Sequence, residues 1–403
     1  MQEYDCRRLA EMIRCETVSV KGEFHPEEFQ KLRHVIETLF PVVSKKATIQ
    51  YFGEDCYVYR IAGKDSGKNV ILMSHHDVVP AEGEWKYPAF SGELAEGCIW
   101  GRGTVDTKTP LFAEFSALEE LLGSGWEPPY NVYLVSSHNE ETGGAVIDPP
   151  MSGISCKCAM LAVHEKGRYR IRLKAKREPG HASLAKQNPS PEVRMANLIT
   201  RIEKEQPFLR KMHPEVEAMF KNLAPYMNFP MRLVFANLWC FRRILIRLIP
   251  SLNASAGSML GTTCSFHNLC TTKEGDCTVE VFFRCVKEED LQTFYEIAKE
   301  YDIVREEILM DEYYPPASLK SEGYRFIKGC VEKEFPYAAC APFILPAGTD
   351  ARHFSNLSEA VIRFAPIDIN GQQYASVHNE NENIGMDAVV RAVRFYRELL
   401  EMM

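Results

Sequence analysis

Short apolar runs that break off in polar, ligand-type residues recur along this chain. Val70, Ile71, Leu72 and Met73 are followed at once by Ser74, His75, His76 and Asp77. A run of that length reads as a buried strand opening into a site. Because side chains alternate along an extended chain, His75 and Asp77 point one way and His76 the other. A second run, Asn131 to Ser137, ends in His138, Asn139, Glu140 and Glu141, and a third, Cys158 to Val163, ends in His164 and Glu165. Between the first two, the Gly-flanked stretch Gly101 to Lys108 carries Asp106 directly before a helix predicted from Pro110 to Leu122. Strands of a parallel sheet end on one edge, and that edge is where α/β folds bind ligands. The pattern therefore predicts an α/β fold with acids and imidazoles gathered in one crevice.

Upstream, residues 3–15 and 26–40 carry helical apolar spacing, and residues 47–61 read as strand. The rhythm changes at Gly167, where residues 168 to 175 alternate polar and apolar as a half-exposed strand does. A second domain is predicted to begin there, with a helix at 192–205, a strand at 278–284, a helix at 287–301 and a last strand at 303–313. A helix at 324–335 returns the chain to the first domain. The stretch Leu238 to Ile249 is strongly apolar but holds Arg242, Arg243 and Arg247. It reads first as a packing helix, with a membrane-surface helix or a wall against a greasy substrate as alternatives.

Composition narrows the field. The chain has 403 residues and favours about two domains on length. Its formal charge of −8 gives no broad reason to bind nucleic acid or an anionic membrane. The first residues show neither a basic nor an apolar leader region, and no apolar stretch is long enough to span a bilayer. Thirteen scattered cysteines without a C-x-x-C pair read as reduced thiols, so a cytoplasmic location is expected. Cys156 and Cys158 are taken as the start of a buried strand rather than a metal pair.

The last third adds a loop with an acid and a guanidinium, Gly348 to Arg352, and a histidine among acids, Val377 to Ile384. Read alone, each fits a solvated turn. Asp350 is expected to orient its loop, and His76, His138 and His353 to be packing or loop residues.

The ordered set SHHDVVP, GRGTVDTK, NEETGG, HEKG, PGHAS, GTDAR and VHNENENI resembles the di-zinc metallopeptidase family of aminoacylase, carboxypeptidase S and succinyl-diaminopimelate desuccinylase. HDVVP followed by Trp85 to Gly92 and then GRGT is most similar to the carboxypeptidase S and N-acyl-amino-acid hydrolase branch. The resemblance implies an α/β, mixed-sheet zinc-peptidase catalytic domain formed by residues 1–167 and 315–403. Residues 168–314 would be an inserted smaller α+β lid that dimerises. Two Zn2+, with Co2+ or Mn2+ as substitutes, would be held by His75 and Glu165 on one side and His378 and Glu141 on the other, with Asp106 bridging. Asp77 would orient His75, as metal-bound imidazoles require. Glu140 would be the general base and His181 the donor to the oxyanion, often reaching across a dimer. Arg352 and Arg284 would hold a substrate carboxylate.

The chain departs from the family pattern in places. Thr107 and Lys166 replace common family residues, His164 stands where relatives often have Asp and could compete with Glu165, and the family's N-x-I-P segment is absent before Arg284. The expectation is a zinc-dependent carboxypeptidase or aminoacylase-type enzyme. It would cleave an amide adjacent to a free carboxylate in small peptides or N-acyl amino acids, through a zinc-bridging hydroxide. Alternatives are hydrolysis of another amide, desuccinylase-like or carbamoyl, and a catalytically dead peptide-binding homologue.

Overall fold

The computed structural model describes residues 2–20, 26–53, 55–137, 144–178, 189–285, 288–311 and 314–403. The chain opens with α1 (Gln2–Ile13), α2 (Pro26–Leu39) and α3 (Pro41–Lys46), followed by β1 (Thr48–Phe52), β2 (Cys56–Ile61) and β3 (Asp65–His75). The helical spacing does what it predicts: α1 buries Leu9, Met12 and Ile13, and α2 buries Phe29, Leu32 and Ile36. Two short strands, β4 (Glu93–Ala95) and β5 (Cys98–Trp100), lead into α4 (Lys108–Gly123), and β6 (Tyr130–Ser137), β7 (Gly144–Ile147), β8 (Lys157–Glu165) and β9 (Gly167–Ala175) follow.

The first sheet has the order β1-β2-β6-β3, with β3 parallel to β6. β3 is thus an edge strand, and the expectation of a buried strand holds only for its end. Ile71 is 43 % exposed, whereas Leu72, Ser74 and His75 are buried. The apolar run is covered only where it meets the site.

Next come α5 (Pro191–Glu205), α6 (Pro214–Leu223), α7 (Phe229–Ala236), α8 (Leu238–Leu252) and α9 (Ala254–Ser258), then β10 (Thr263–Thr271), β11 (Cys277–Cys285), α10 (Gln292–Glu300) and β12 (Ile303–Met310). The second sheet, β10-β11-β9-β12, is antiparallel throughout. The alternation in β9 is realised: Tyr169, Ile171, Leu173 and Ala175 are buried in a cluster with Leu198 of α5 and Phe294 of α10. Its basic residues take the other face, where Arg170 and Arg172 pair with Glu280. The helix expected at 287–301 appears as a 3₁₀ turn, Glu288–Leu291, followed by α10.

The chain closes with α11 (Glu322–Glu334), β13 (Ala338–Leu345), β14 (Phe364–Asp368), α12 (Gly371–Ala375), β15 (Asn383–Gly385) and α13 (Met386–Glu401). The third sheet is β13-β8-β7-β14, with β13 parallel to β8, and a small sheet joins β15, β5 and β4. The three apolar runs therefore do not share one parallel sheet. The strands ending at His75 and Ser137 are neighbours, while the strand ending at Glu165 belongs to another sheet.

Helices α6 to α9 bury Val216, Phe220, Phe235, Leu238, Leu245 and Ile249 in one cluster with Met160 of β8 and Ala341 and Ile344 of β13. The apolar stretch at 238–249 is α8, packed on one side. α13 lies against α4 and α1, so the two ends of the chain share the largest core.

Candidate active site

At the end of β3, His75 Nε2 donates to Asp106 Oδ1 at 2.8 Å. From the far end of the chain, His378 Nε2 donates to Asp106 Oδ2 at 3.0 Å. One carboxylate thus lies between two imidazoles, one oxygen to each. On its other side His75 Nδ1 donates to the Asp77 carbonyl at 3.0 Å and lies 3.2 Å from Asp77 Oδ1. Burial would lower the pKa of His75, but the hydrogen bonds and charges of Asp106 and Asp77 hold it well above the ordinary value. Burial would likewise raise Asp106, and the two imidazoles hold its carboxyl well below the usual range instead. The His378 side chain is 41 % exposed against 5 % for His75, so the second imidazole stands at the mouth.

Asp106 sits on a loop fixed from behind by Glu382. This fully buried carboxylate accepts from the Gly103, Val105 and Asp106 amides at 3.0, 2.7 and 3.1 Å, and from Arg102 Nη1 at 2.9 Å. β15, immediately after Glu382, pairs with β5, immediately before the loop. The segment bearing His378 is therefore stitched to the segment bearing Asp106. Gly103 has φ +87°, and a Cβ there would meet Val78 Cγ1 at 2.8 Å, so both conformation and space require glycine. The Asp106–Thr107 peptide bond is cis, and Thr107 leaves the Asp106 carboxylate in its place between the imidazoles. His378 has φ +62°, an uncommon value for a residue with a side chain. Sequence reasoning did not single out Glu382, although it lies four residues past His378 in the same acidic run.

A cavity of about 250 Å³ opens here, lined by His75, Asp77, Asp106 and His378 and also by Arg168, Arg284 and Arg352. The guanidiniums of Arg352 and Arg284 and the stem of Arg168 meet at Gly348. A Cβ at that position would lie 2.9 Å from Arg352 Nη1, 3.3 Å from Arg284 Nη1 and 3.5 Å from Arg168 Cδ. Arg168 and Arg284 stand directly opposite each other on β9 and β11. Two like charges in such a pair repel, which an anion between them relieves. Asp311 takes part of that role, accepting from the Arg168 amide at 2.9 Å and its Nε at 3.2 Å, with Arg352 Nη1 3.9 Å away. Arg168 is a cavity residue that the alternating pattern showed only as the polar face of a strand.

Glu165, at the end of β8, does not line the cavity, but its partners Thr349 and Arg352 do. Its Oε2 accepts from the Thr349 amide and hydroxyl at 2.9 and 2.7 Å and from Arg363 Nε at 3.1 Å. Its Oε1 is buried without a hydrogen-bond partner among the described residues. His164 beside it is buried away from the cavity, and burial with the nearby Arg363 lowers its pKa to about 4. His76 points away from the site, between Ser136 Oγ at 2.7 Å and Asp55 Oδ2 at 3.0 Å, as a packing histidine. His353 contacts Tyr314 outside the cavity. Asp350 lines it. His138, Glu140, Glu141 and His181 lie outside the described residues.

The donor set fits a pair of divalent ions. Bond lengths of about 2.0–2.2 Å at a tetrahedral ion separate a nitrogen from an oxygen by roughly 3.4 Å, so the two imidazole–carboxylate contacts need to open by only about half an ångström. Glu165 Oε1, which has no hydrogen bond and lies 4.0 Å from Arg352 Nη1, is a further buried carboxylate oxygen near the cavity. Among the described residues no three His, Cys, Asp or Glu side chains stand as a ready coordination group.

A two-imidazole, one-carboxylate centre in a cavity that also holds guanidiniums is the build of a metallohydrolase. The comparisons narrow that class. The family model described as peptidase family M20/M25/M40 matches residues 71–402, and the chain belongs to this family. It is 29 % identical over 96 % of its length to the N-fatty-acyl-amino acid synthase/hydrolase PM20D1 of Xenopus tropicalis, covering 84 % of that protein. It is 26 % identical over 98 % of its length to the probable carboxypeptidase S-like 2 of Dictyostelium discoideum, again covering 84 %. In fold it is similar to the M20 family metallo-carboxypeptidase Sso-CP2 of Sulfolobus solfataricus, with TM-score 0.67, 19 % identity and 98 % of both chains covered. The protein is an enzyme, a hydrolase of the metallopeptidase and aminoacylase type.

Proposed function

We propose that this hydrolase cleaves an amide bond beside a free carboxylate, in small peptides or N-acyl amino acids, with two zinc ions as its resident metals. The observation that carries the reading is the Asp106 carboxylate held between His75 and His378 at 2.8 and 3.0 Å, in a cavity that three arginines also line. His75 and Glu165 would hold one ion, His378 and Glu141 the other, and Asp106 both; Co2+ or Mn2+ would substitute. When bound, the pair acidifies a water and polarises the scissile carbonyl. Asp77 fixes the ring of His75. Glu140 accepts the proton of the attacking water and returns it to the leaving amine. Arg352 and Arg284, joined by Arg168, hold the carboxylate that flanks the amide, leaving the carbonyl beside Asp106. His181, from a second copy in a homodimer, donates to the oxyanion. Thirteen free cysteines support a cytoplasmic setting.

The test combines metal analysis with a substrate panel. Two equivalents of zinc are expected, retained in Glu140→Ala while hydrolysis is lost. Dipeptides and N-acyl amino acids of short and long chain should be cleaved as free acids and spared as C-terminal amides. An active protein without metal, or equal cleavage of acids and amides, overturns the proposal. Preference for succinyl or carbamoyl amides moves it to another member of the family. Zinc without cleavage of any member of the panel leaves a binding protein.

A further inference from the structure

Helices α7 and α8 present a face that the cluster beneath them does not use. Phe229 and Leu233 on α7 are 75 % and 52 % exposed, and Trp239, Ile244, Leu248 and Leu252 on α8 are 84, 55, 48 and 77 % exposed. Their spacing orders them. Ile244, Leu248 and Leu252 follow one another at four-residue intervals as one stripe, and Trp239, Arg243 and Arg247 form the neighbouring stripe at the same interval. Arg243 and Arg247 are exposed and make no hydrogen bond or ion pair among the described residues. Arg242 is turned back toward the protein, to the Met212 carbonyl and, at 3.8 Å, to Glu217.

Charge in this part of the chain is segregated. From Ala218 to Ser258 there are Lys221, Arg232, Arg242, Arg243 and Arg247 and no Asp or Glu, in a protein whose net charge is −8. Among the described residues that line the candidate cavity, none belongs to α7 or α8. A second copy is a poor occupant. Two-fold symmetry would set the cations of both faces against each other with no acid in the segment to neutralise them. An apolar stripe flanked by unpaired arginines, with a tryptophan at one end, is instead complementary to a surface that is anionic outside and apolar beneath. Among the described residues no helix is long and apolar enough to cross a membrane, and α8 has the length to lie on one.

We propose that α7 and α8 dock this protein on an anionic phospholipid bilayer, with Trp239, Ile244, Leu248 and Leu252 at the acyl boundary and Arg243 and Arg247 on the headgroup phosphates. The inference is independent of the substrate. The full chain is mixed with vesicles of phosphatidylcholine alone or with phosphatidylglycerol added, and bound protein is measured by co-sedimentation. Binding to the phosphatidylglycerol vesicles is expected, weakening as salt is raised. Arg243→Ala with Arg247→Ala should weaken partition about 30-fold, some fivefold for each arginine. Brominated acyl chains should quench tryptophan fluorescence in the native protein and far less in Trp239→Phe. All substitutions are on exposed positions, and circular dichroism melting checks that each variant is folded. Failure to bind anionic vesicles, or unchanged binding in the double arginine variant, overturns the proposal. So does a dimer in sedimentation velocity that Leu248→Ser with Leu252→Ser converts to monomer while vesicle binding is absent.

Discussion

Glu382 is the residue through which the two halves of the candidate centre are tied together. Its two oxygens accept from three amides of the loop and from Arg102, whose other guanidinium nitrogen donates to the Pro80 carbonyl at 3.3 Å. Burial raises its pKa, with the three amides and Arg102 working against that rise. Replacing it by alanine leaves Arg102 charged, 2 % exposed and without its partner. Breaking a buried pair in this way costs about 3–5 kcal/mol. Glu382→Ala is therefore expected to lower the free energy of unfolding in urea by that order. It should also weaken zinc affinity about 10–100-fold, since Asp106 loses the support that aims it. An unchanged metal affinity in a folded Glu382→Ala protein would show that Asp106 is held by other means. At this scale the sequence discloses residues whose neighbours in the chain explain them. His75 and Asp106 each stand at an abrupt end of an apolar or Gly-rich stretch, and His378 stands at the head of an acidic run. Glu382 and Arg168 do not, because their roles depend on partners fixed only by tertiary pairing: the β5–β15 ladder for one, the register of β9 against β11 for the other.

The elements obey the same division. The helical spacing of α1, α2, α5 and α11 and the alternation of β9 are local properties, and the chain shows them directly. Whether an apolar run is central or at an edge is not local, which is why β3 read as a buried strand and lies at the margin of its sheet. The contact between β3 and α4 also holds a group with a measurable consequence. Glu114 of α4, fully buried, accepts from Ser74 Oγ of β3 at 2.9 Å, with the Tyr396 hydroxyl of α13 close by. Burial pushes its carboxyl up to about 8, with both hydroxyls opposing. In the unfolded chain it titrates near the ordinary value of 4.5. Between these two values the folded protein keeps a proton that the unfolded chain has lost, so stability falls as pH rises through the window. The slope contributed is about 1.4 kcal/mol per pH unit. Glu114→Gln has no such proton to keep. Its unfolding free energy should therefore gain on the native protein steadily from pH 5 to pH 8, measured by urea denaturation at intervals. A constant difference between the two proteins across that range would mean that Glu114 titrates normally in the fold.

At the scale of the whole molecule, the candidate centre is where the ends of the chain meet. His75 and Asp106 come from its first third and His378 from its last, 272 residues beyond Asp106. The change of rhythm at Gly167 marks the entry to the second sheet in the structure as it does in the sequence. The return of α6 to α9 onto β8 and β13 leaves no periodic mark, because the residues that make it are simply apolar helix positions whose partner strand comes later. A ligand that joins His75, Asp106 and His378 acts as a cross-link between distant stretches, and it stabilises the fold by as much as its binding there exceeds its binding to the thiols and imidazoles of the unfolded chain. By mass action, free zinc at a thousand times its dissociation constant adds at most about 4 kcal/mol to the unfolding free energy. Thermal unfolding of the metal-stripped protein should therefore move upward with added zinc and return when a chelator is added. Asp106→Asn keeps one oxygen acceptor but presents an amide nitrogen to the other imidazole, so it cannot serve two cations. In that variant the zinc-dependent rise should largely vanish, whereas in His353→Ala, a histidine outside the cavity, it should be undiminished. The same rise in Asp106→Asn as in the native protein would mean that zinc binds elsewhere, and the reading of His75, Asp106 and His378 as one centre would fall with it.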